Sequence, residues 1–127
     1  LPPDSLEKTA LLLPSCSTTA DIQGALRASR LGVHVWYSEA DWIVLGLIMK
    51  VSGCGDDRST SRAAGRFGFQ PVPKDPGEIE MMKTKLRQYP WHRDHIQLGH
   101  NGGHYGAYRS PFSQLVVLPI LFGETVD

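Results

Sequence analysis

Four of the chain's five histidines, His92, His95, His100 and His104, fall within WHRDHIQLGHNGGH, residues 91–104. Imidazole is the side chain that most readily ligates metals and moves protons near neutral pH, so such a cluster is a candidate site. Asp94 adds a carboxylate among the imidazoles, and together they make a mixed nitrogen and oxygen donor set suited to a divalent ion such as Zn²⁺ or Mg²⁺. The expected metal ligands are His92, Asp94, His95, His100 and His104, with His95 and His104 as the catalytic pair. Asp94 can alternatively stand behind a ligating histidine and orient it through its second ring nitrogen. No HExxH, CxxC or His-x-His spacing accompanies the cluster. The competing reading has two of the histidines capping turns and one packing against Trp91, with no chemistry.

The longer stretch RDHIQLGHNGGHYGAYRSPFSQLVVLP resembles the HNH nucleases, the ββα-metal or His-Me finger group. The resemblance implies Asp94 as a metal ligand and His95 as the general base that activates water toward a phosphodiester. It spans about 25 residues. Gln114 stands before Leu115 where the family has Asn before Leu, and Pro119 falls where the family's last ligand-bearing helix would lie. Within it, GGHYGAYRS is also similar to the final strand of small microbial ribonucleases, which implies His104 as a general acid without metal, with Glu78, Glu80, Arg87 and Arg109 as the available base and phosphate-binding groups. DWIVLGLIMKVSGCGDDRSTSRAAGRFGFQP resembles the core helix and following loop of lysozyme-like glycosidases. The catalytic glutamate of that family is replaced here by Val51-Ser52, so Glu39 with Asp56 or Asp57 would have to form the carboxylate pair.

Substrate contacts are expected from Arg93, Tyr105, Tyr108 and Arg109, with Trp91 and Phe112 as further stacking surfaces. Arg58, Arg62 and Arg66, spaced by four, form a basic loop that can touch phosphates or pair with Asp56 and Asp57 in solvent. The chain has 13 basic and 13 acidic residues, so no overall field draws it to a polyanion and any nucleic-acid contact must be local. These residues together point to a hydrolase with a His-rich site, a metal-dependent phosphodiesterase or nuclease. The rival class is a small secreted toxin, effector or binding module without catalysis.

The elements that must position these groups follow from pattern. At 127 residues the chain makes one domain, 1–127, and its 13 glycines and 9 prolines imply more loop than a helical bundle carries. Ser5 to Leu12 can form a short helix in a proline-bounded arm. Ser17 or Thr18 caps a helix carrying Ile22, Ala25 and Leu26 that ends near Gly32. Trp42 to Val51 reads as a central helix buried on nearly every side, and Asp75-Pro76-Gly77-Glu78 starts a third helix that runs to Pro90. Beyond Pro90 the period shifts to two, giving strands at Asp94–Leu98, Tyr105–Tyr108 and Leu115–Leu121 with a turn at Asn101-Gly102-Gly103. The expected fold is α+β, helices followed by a small antiparallel sheet or hairpin. His104, Gly106 and Tyr108 would share one face of it with His95 opposite.

Cys16 and Cys54 are the only cysteines. A disulfide between them would close a loop of about 38 residues and add ~4 kcal/mol in the chain-entropy model. That pairing, and an opening LPPDS without methionine, favour a secreted protein. The alternatives are two buried thiols, or Cys16 as a nucleophile at a helix start with His104 as its base. No stretch reaches the ~20 apolar residues of a membrane span, and no membrane partner is expected.

Overall fold

The computed structural model describes residues 1–123, apart from the side chain of Val44. Three strands form its sheet: β1 (Thr9–Leu12, TALL), β2 (Val33–Tyr37, VHVWY) and β3 (Leu86–Pro90, LRQYP). Their order is β1-β2-β3 and both pairings are parallel, with Leu11 beside Val35 and Val35 beside Gln88. The sheet corrects the sequence-based fold: mixed helix and strand is right, but the antiparallel hairpin is not there. Residues 94–98 and 106–108 belong instead to 3₁₀ turns, Arg93–Leu98 and Gly106–Tyr108, with Tyr105 as the N-cap of the second. Residues 115–121 lie in a π-helical stretch, Ser113–Val117, that continues into α5 (Leu118–Phe122).

A parallel pair needs a long crossover, and a sheet built that way is covered on both faces. The first crossover is α1 (Gln23–Ala28). The second runs through a π-helical stretch, Ile43–Ile48, into α2 (Met49–Ser52), then α3 (Ala64–Phe67) and α4 (Pro76–Lys85). On one face Val33, Val35, Leu11 and Leu86 meet Ile22 and Leu26 from the first crossover and Met81 and Met82 from α4. On the other face Trp36, Ala10, Leu12 and Tyr89 meet Leu45, Phe112, Val117 and Ile120. Because every strand is flanked on two sides, its sequence does not alternate, and TALL and VHVWY carry no period-two signature. Of the helix expected at Ser5–Leu12, Thr9–Leu12 is instead the strand β1, and Ser5 to Lys8 lie outside any helix.

The start of α4 follows its sequence signals. Asp75 caps it, accepting from the Glu78 backbone N–H at 2.9 Å, and Pro76 occupies the first position. The helix stops at Lys85, short of the expected Pro90, because Leu86–Pro90 pairs with β2 instead. The run Trp42–Val51 is helical as expected but is not buried on every side. Leu45 is fully enclosed and Met49 packs on the core, whereas Trp42, Ile43, Leu47, Ile48 and Val51 face solvent.

All three carboxyl ends of the strands emerge at one edge, and α3 ties two of them together. The Gly65 N–H donates to Pro14 O at 2.7 Å and the Ser38 N–H donates to Gly65 O at 2.8 Å. Leu13 turns out of β1 with φ +47°, a left-handed conformation, and Gly65 sits directly on it. A Cβ on Gly65 would lie 2.2 Å from the Leu13 carbonyl carbon, so only glycine fits. Gly24, in α1, has open space where its Cβ would be. Gly65→Ala is expected to destabilise the protein by at least about 2 kcal/mol and Gly24→Ala to stabilise it by up to about 1 kcal/mol, opposite signs readable by urea denaturation of the two variants.

Candidate active site

In parallel α/β sheets ligands bind beyond the carboxyl ends of the strands, and two of this chain's strand ends lead into one cleft. After β2, residues Ser38 to Asp41 form a tight turn, with the Asp41 N–H donating to Ser38 O at 3.1 Å. The turn carries the Asp41 side chain inward until it is only 1% exposed. After β3, the Trp91 N–H continues the pairing by donating to Tyr37 O at 2.7 Å. The Arg93–Leu98 turn then ends at Gly99 in the left-handed region, and the chain doubles back through His100 to His104.

That return rests on His100, which is buried. Its Nδ1 accepts the Gly102 N–H at 3.2 Å, its backbone carbonyl accepts the Trp91 indole N–H at 2.9 Å, and its ring stands edge-on to Phe112 at 4.7 Å between centroids. Gly106 lies against the same ring so closely that a Cβ there would come within 2.1 Å of Nδ1. Burial, with His95 nearby, pushes the His100 pKa down to about 4, so the ring is neutral and structural.

His104 then faces Asp41 across 63 residues of sequence, with Nδ1 to Oδ2 at 2.8 Å. A carboxylate oxygen only accepts, so this bond fixes the proton on Nδ1 and leaves Nε2 as the basic nitrogen. Nε2 makes no hydrogen bond within the described residues and is not sealed from solvent. The pair borders a cleft of about 300 Å³ whose other walls include Ile43, Asn101, Tyr105 and Arg109. Arg109 is exposed and, among the described residues, makes no ion pair. Tyr105 stands edge-on to the His104 ring at 5.1 Å. The arrangement combines an oriented imidazole, a cation and an apolar wall.

The expected cluster is thus divided. His104 enters the cleft, as do Tyr105 and Arg109. His95 does not stand in it: its Nδ1 accepts the His92 N–H at 3.1 Å and its ring lies 4.9 Å from Phe112, where burial and then His92 lower its pKa despite Asp94. His92 and Asp94 lie 3.4 Å apart with side chains 73% and 85% exposed, and Arg93 beside them is exposed too. Tyr108 donates its hydroxyl to Leu12 O at 3.1 Å and serves the fold. Among the described residues no three His, Cys, Asp or Glu side chains converge to hold a metal ion, so the donors do not fit the five-ligand set expected from sequence.

Cys16 and Cys54 are free thiols. Burial, then the Asp56 carboxylate, push both thiols up from the ordinary cysteine value, which disfavours the reactive thiolate. Cys16 lies well before α1 and has no helix start to activate it. In the basic loop, the guanidinium carbons of Arg62 and Arg66 lie 4.8 and 5.0 Å from the centre of the Phe67 ring, so two of its three arginines hold the loop together.

Asp41 escaped the sequence reading because it stands just ahead of the apolar run Trp42–Val51, where a carboxylate suits the start of a helix. No local spacing announces a partner 63 residues away. No family model, curated protein or solved structure matches this chain.

The buried histidines set the acid limit of the fold. The His100 pKa lies below its unfolded value of about 6.5, so at neutral pH neither state is protonated and nothing is lost. As pH falls through 6.5 the unfolded chain takes up a proton that the native state refuses until about pH 4. Stability is expected to fall over that window by about 3 kcal/mol on account of His100, with His34 and His95 adding in the same direction. His100→Asn, which keeps an acceptor for the Gly102 N–H, should flatten the pH dependence of the urea midpoint; an unchanged slope would show that His100 does not carry it.

Proposed function

We propose that the cleft is the active site of a phosphodiesterase that works by general acid–base catalysis through the Asp41–His104 pair. The observation that carries this reading is the 2.8 Å bond between a buried carboxylate and an imidazole whose other nitrogen borders an open cleft. Asp41 holds the ring in one tautomer and orientation and stabilises the imidazolium that forms when Nε2 takes a proton. Positioned acid–base groups of this kind contribute typically 10²–10⁴-fold to rate.

Arg109 supports an anionic substrate. A guanidinium without a carboxylate partner at a cleft rim is suited to two oxygens of a phosphate, and it would offset the charge that builds on them in the transition state. Among the described residues the lining contains no serine, threonine or cysteine. The attacking oxygen in this scheme comes from water or from a hydroxyl of the substrate itself, as a ribonucleotide can provide. His104 Nε2 removes its proton and returns it to the leaving oxygen. The scheme routes no step through a metal, since among the described residues no three His, Cys, Asp or Glu side chains converge.

The natural variant for a test is His104→Asn rather than His104→Ala. The asparagine amide can replace Nδ1–H toward Asp41, whereas alanine leaves a buried carboxylate unpaired at a cost of about 3–5 kcal/mol. With RNA and bis(p-nitrophenyl) phosphate as substrates, His104→Asn is expected to lower kcat by about 10²-fold or more at near-native stability. Arg109→Gln should raise KM and lower kcat/KM by about tenfold or more, and His95→Gln should leave turnover within about twofold of the parent. Wild-type protein inactive on both diesters, or turnover that survives His104→Asn, rejects this function.

A further inference from the structure

Beside the cleft lies a surface of another kind. Between Trp42 and Val51, five large apolar side chains stand in water: Trp42, Ile43, Leu47, Ile48 and Val51, with exposures from 50% at Ile48 to 88% at Val51. The opposite side of the same run is anchored by Leu45, fully buried, and by Met49 on the core. The exposed residues are not scattered; they follow one side of a continuous helical run. Soluble monomers seldom leave so much contiguous apolar surface uncovered, and burying such side chains is the largest free-energy gain open to them.

The surroundings say what kind of cover fits. From Trp42 to Gly55 the chain has no acidic residue, and its one charge there is Lys50. Asp41, just before, is buried on His104. Arg66 lies against Gly46, and Arg58 shares the wall of the next depression with Val51. The solvent-facing carboxylates nearest in sequence are Glu39, ahead of the run, and Asp56 and Asp57 beyond it, the Ser59 N–H and hydroxyl both donating to Asp57. Asp56 is held by the Ser17 N–H and hydroxyl. The strip itself, from Trp42 to Met49, offers no charged, amide or hydroxyl side chain. A protein interface of ordinary composition carries about one hydrogen bond per 100–200 Å², and this strip has almost nothing to give register to one. A tryptophan at one end, aliphatic residues along the middle and lysine and arginine at the margin match a helix lying in the headgroup layer of an anionic bilayer.

We propose that the Trp42–Val51 face docks on an anionic lipid surface, lying in the plane of the interface. The sequence-based expectation of no membrane partner rested on the lack of a spanning segment, and no helix among the described residues is long and apolar enough to cross a bilayer. Lying in the interface requires no such length. Ile43 belongs both to the strip and to the cleft wall, so docking brings the mouth of the cleft to the lipid headgroups. The inference stands on the strip and its charges and does not require that the cleft be catalytic.

Co-sedimentation of the full chain with phosphatidylcholine vesicles, with and without phosphatidylglycerol, tests it. Binding is expected to the phosphatidylglycerol vesicles, weaker to phosphatidylcholine alone, and at least tenfold weaker for the double variant Leu47→Ser/Val51→Ser; both positions are exposed, so the variant should keep the parent's circular dichroism. Brominated lipid should quench tryptophan fluorescence in the parent and markedly less in Trp42→Phe. His104→Asn should bind as the parent does. Absence of vesicle binding, binding indifferent to the double variant, or a dimer in solution that the double variant dissolves would overturn the proposal, the last in favour of a second copy of this chain. Binding with no diesterase activity leaves it standing and rejects only the catalytic reading, while activity without binding does the reverse.

Discussion

A carboxylate removed from water must have a partner, and the site of this protein is organised by that requirement. Asp41 is 1% exposed, and His104 Nδ1 is the hydrogen-bonding group that meets it. The bond joins the turn after β2 to the loop after β3, two segments that share no local sequence. Separating them would strand a charge in the interior, which is far costlier than losing a surface ion pair. The same bond fixes which ring nitrogen carries the proton, because a carboxylate oxygen only accepts. In this protein one contact closes a loop, orients an imidazole and borders a cleft.

What makes the contact possible is the parallel sheet. Its crossovers place α1 and α4 on one face and the Ile43–Ile48 stretch, beside the C-terminal helical segments, on the other, so the strand ends and their loops gather at one edge. There the close approach of Gly65 to Leu13 and of Gly106 to His100 brings backbone and ring surfaces nearer than any side chain would allow. Buried His100 and Phe112, with half-buried Trp91, form a platform beneath the loop that carries His104. The histidine-rich segment is therefore mostly scaffold, with one of its four members doing the proposed chemistry and three shaping the loop.

Part of this was legible in the sequence. The start of α4 was, because a cap, a proline and a glutamate in order impose their geometry locally. So was the apolar pairing of Ile22 and Leu26 at α1; His104, Tyr105 and Arg109 stood out by residue type, and the structure brings them to one cleft. The strands were not, since a strand covered on both faces has no alternation to detect and LRQYP continues the helical pattern that precedes it. The run Trp42–Val51 misled in another way: its composition speaks of burial, but burial is decided by what packs against it, and here only one side is covered. Asp41 was hidden because its partner is set by topology, not spacing.

The most direct test of the account is the tautomer of His104, read from the long-range nitrogen–proton couplings of its ring by NMR at a pH where the ring is neutral. The account predicts a proton fixed on Nδ1, slow to exchange and shifted downfield by Asp41, with Nε2 unprotonated, and the loss of that pattern in Asp41→Asn. A ring protonated on Nε2, or one averaging between tautomers as a solvent-exposed histidine does, would contradict it.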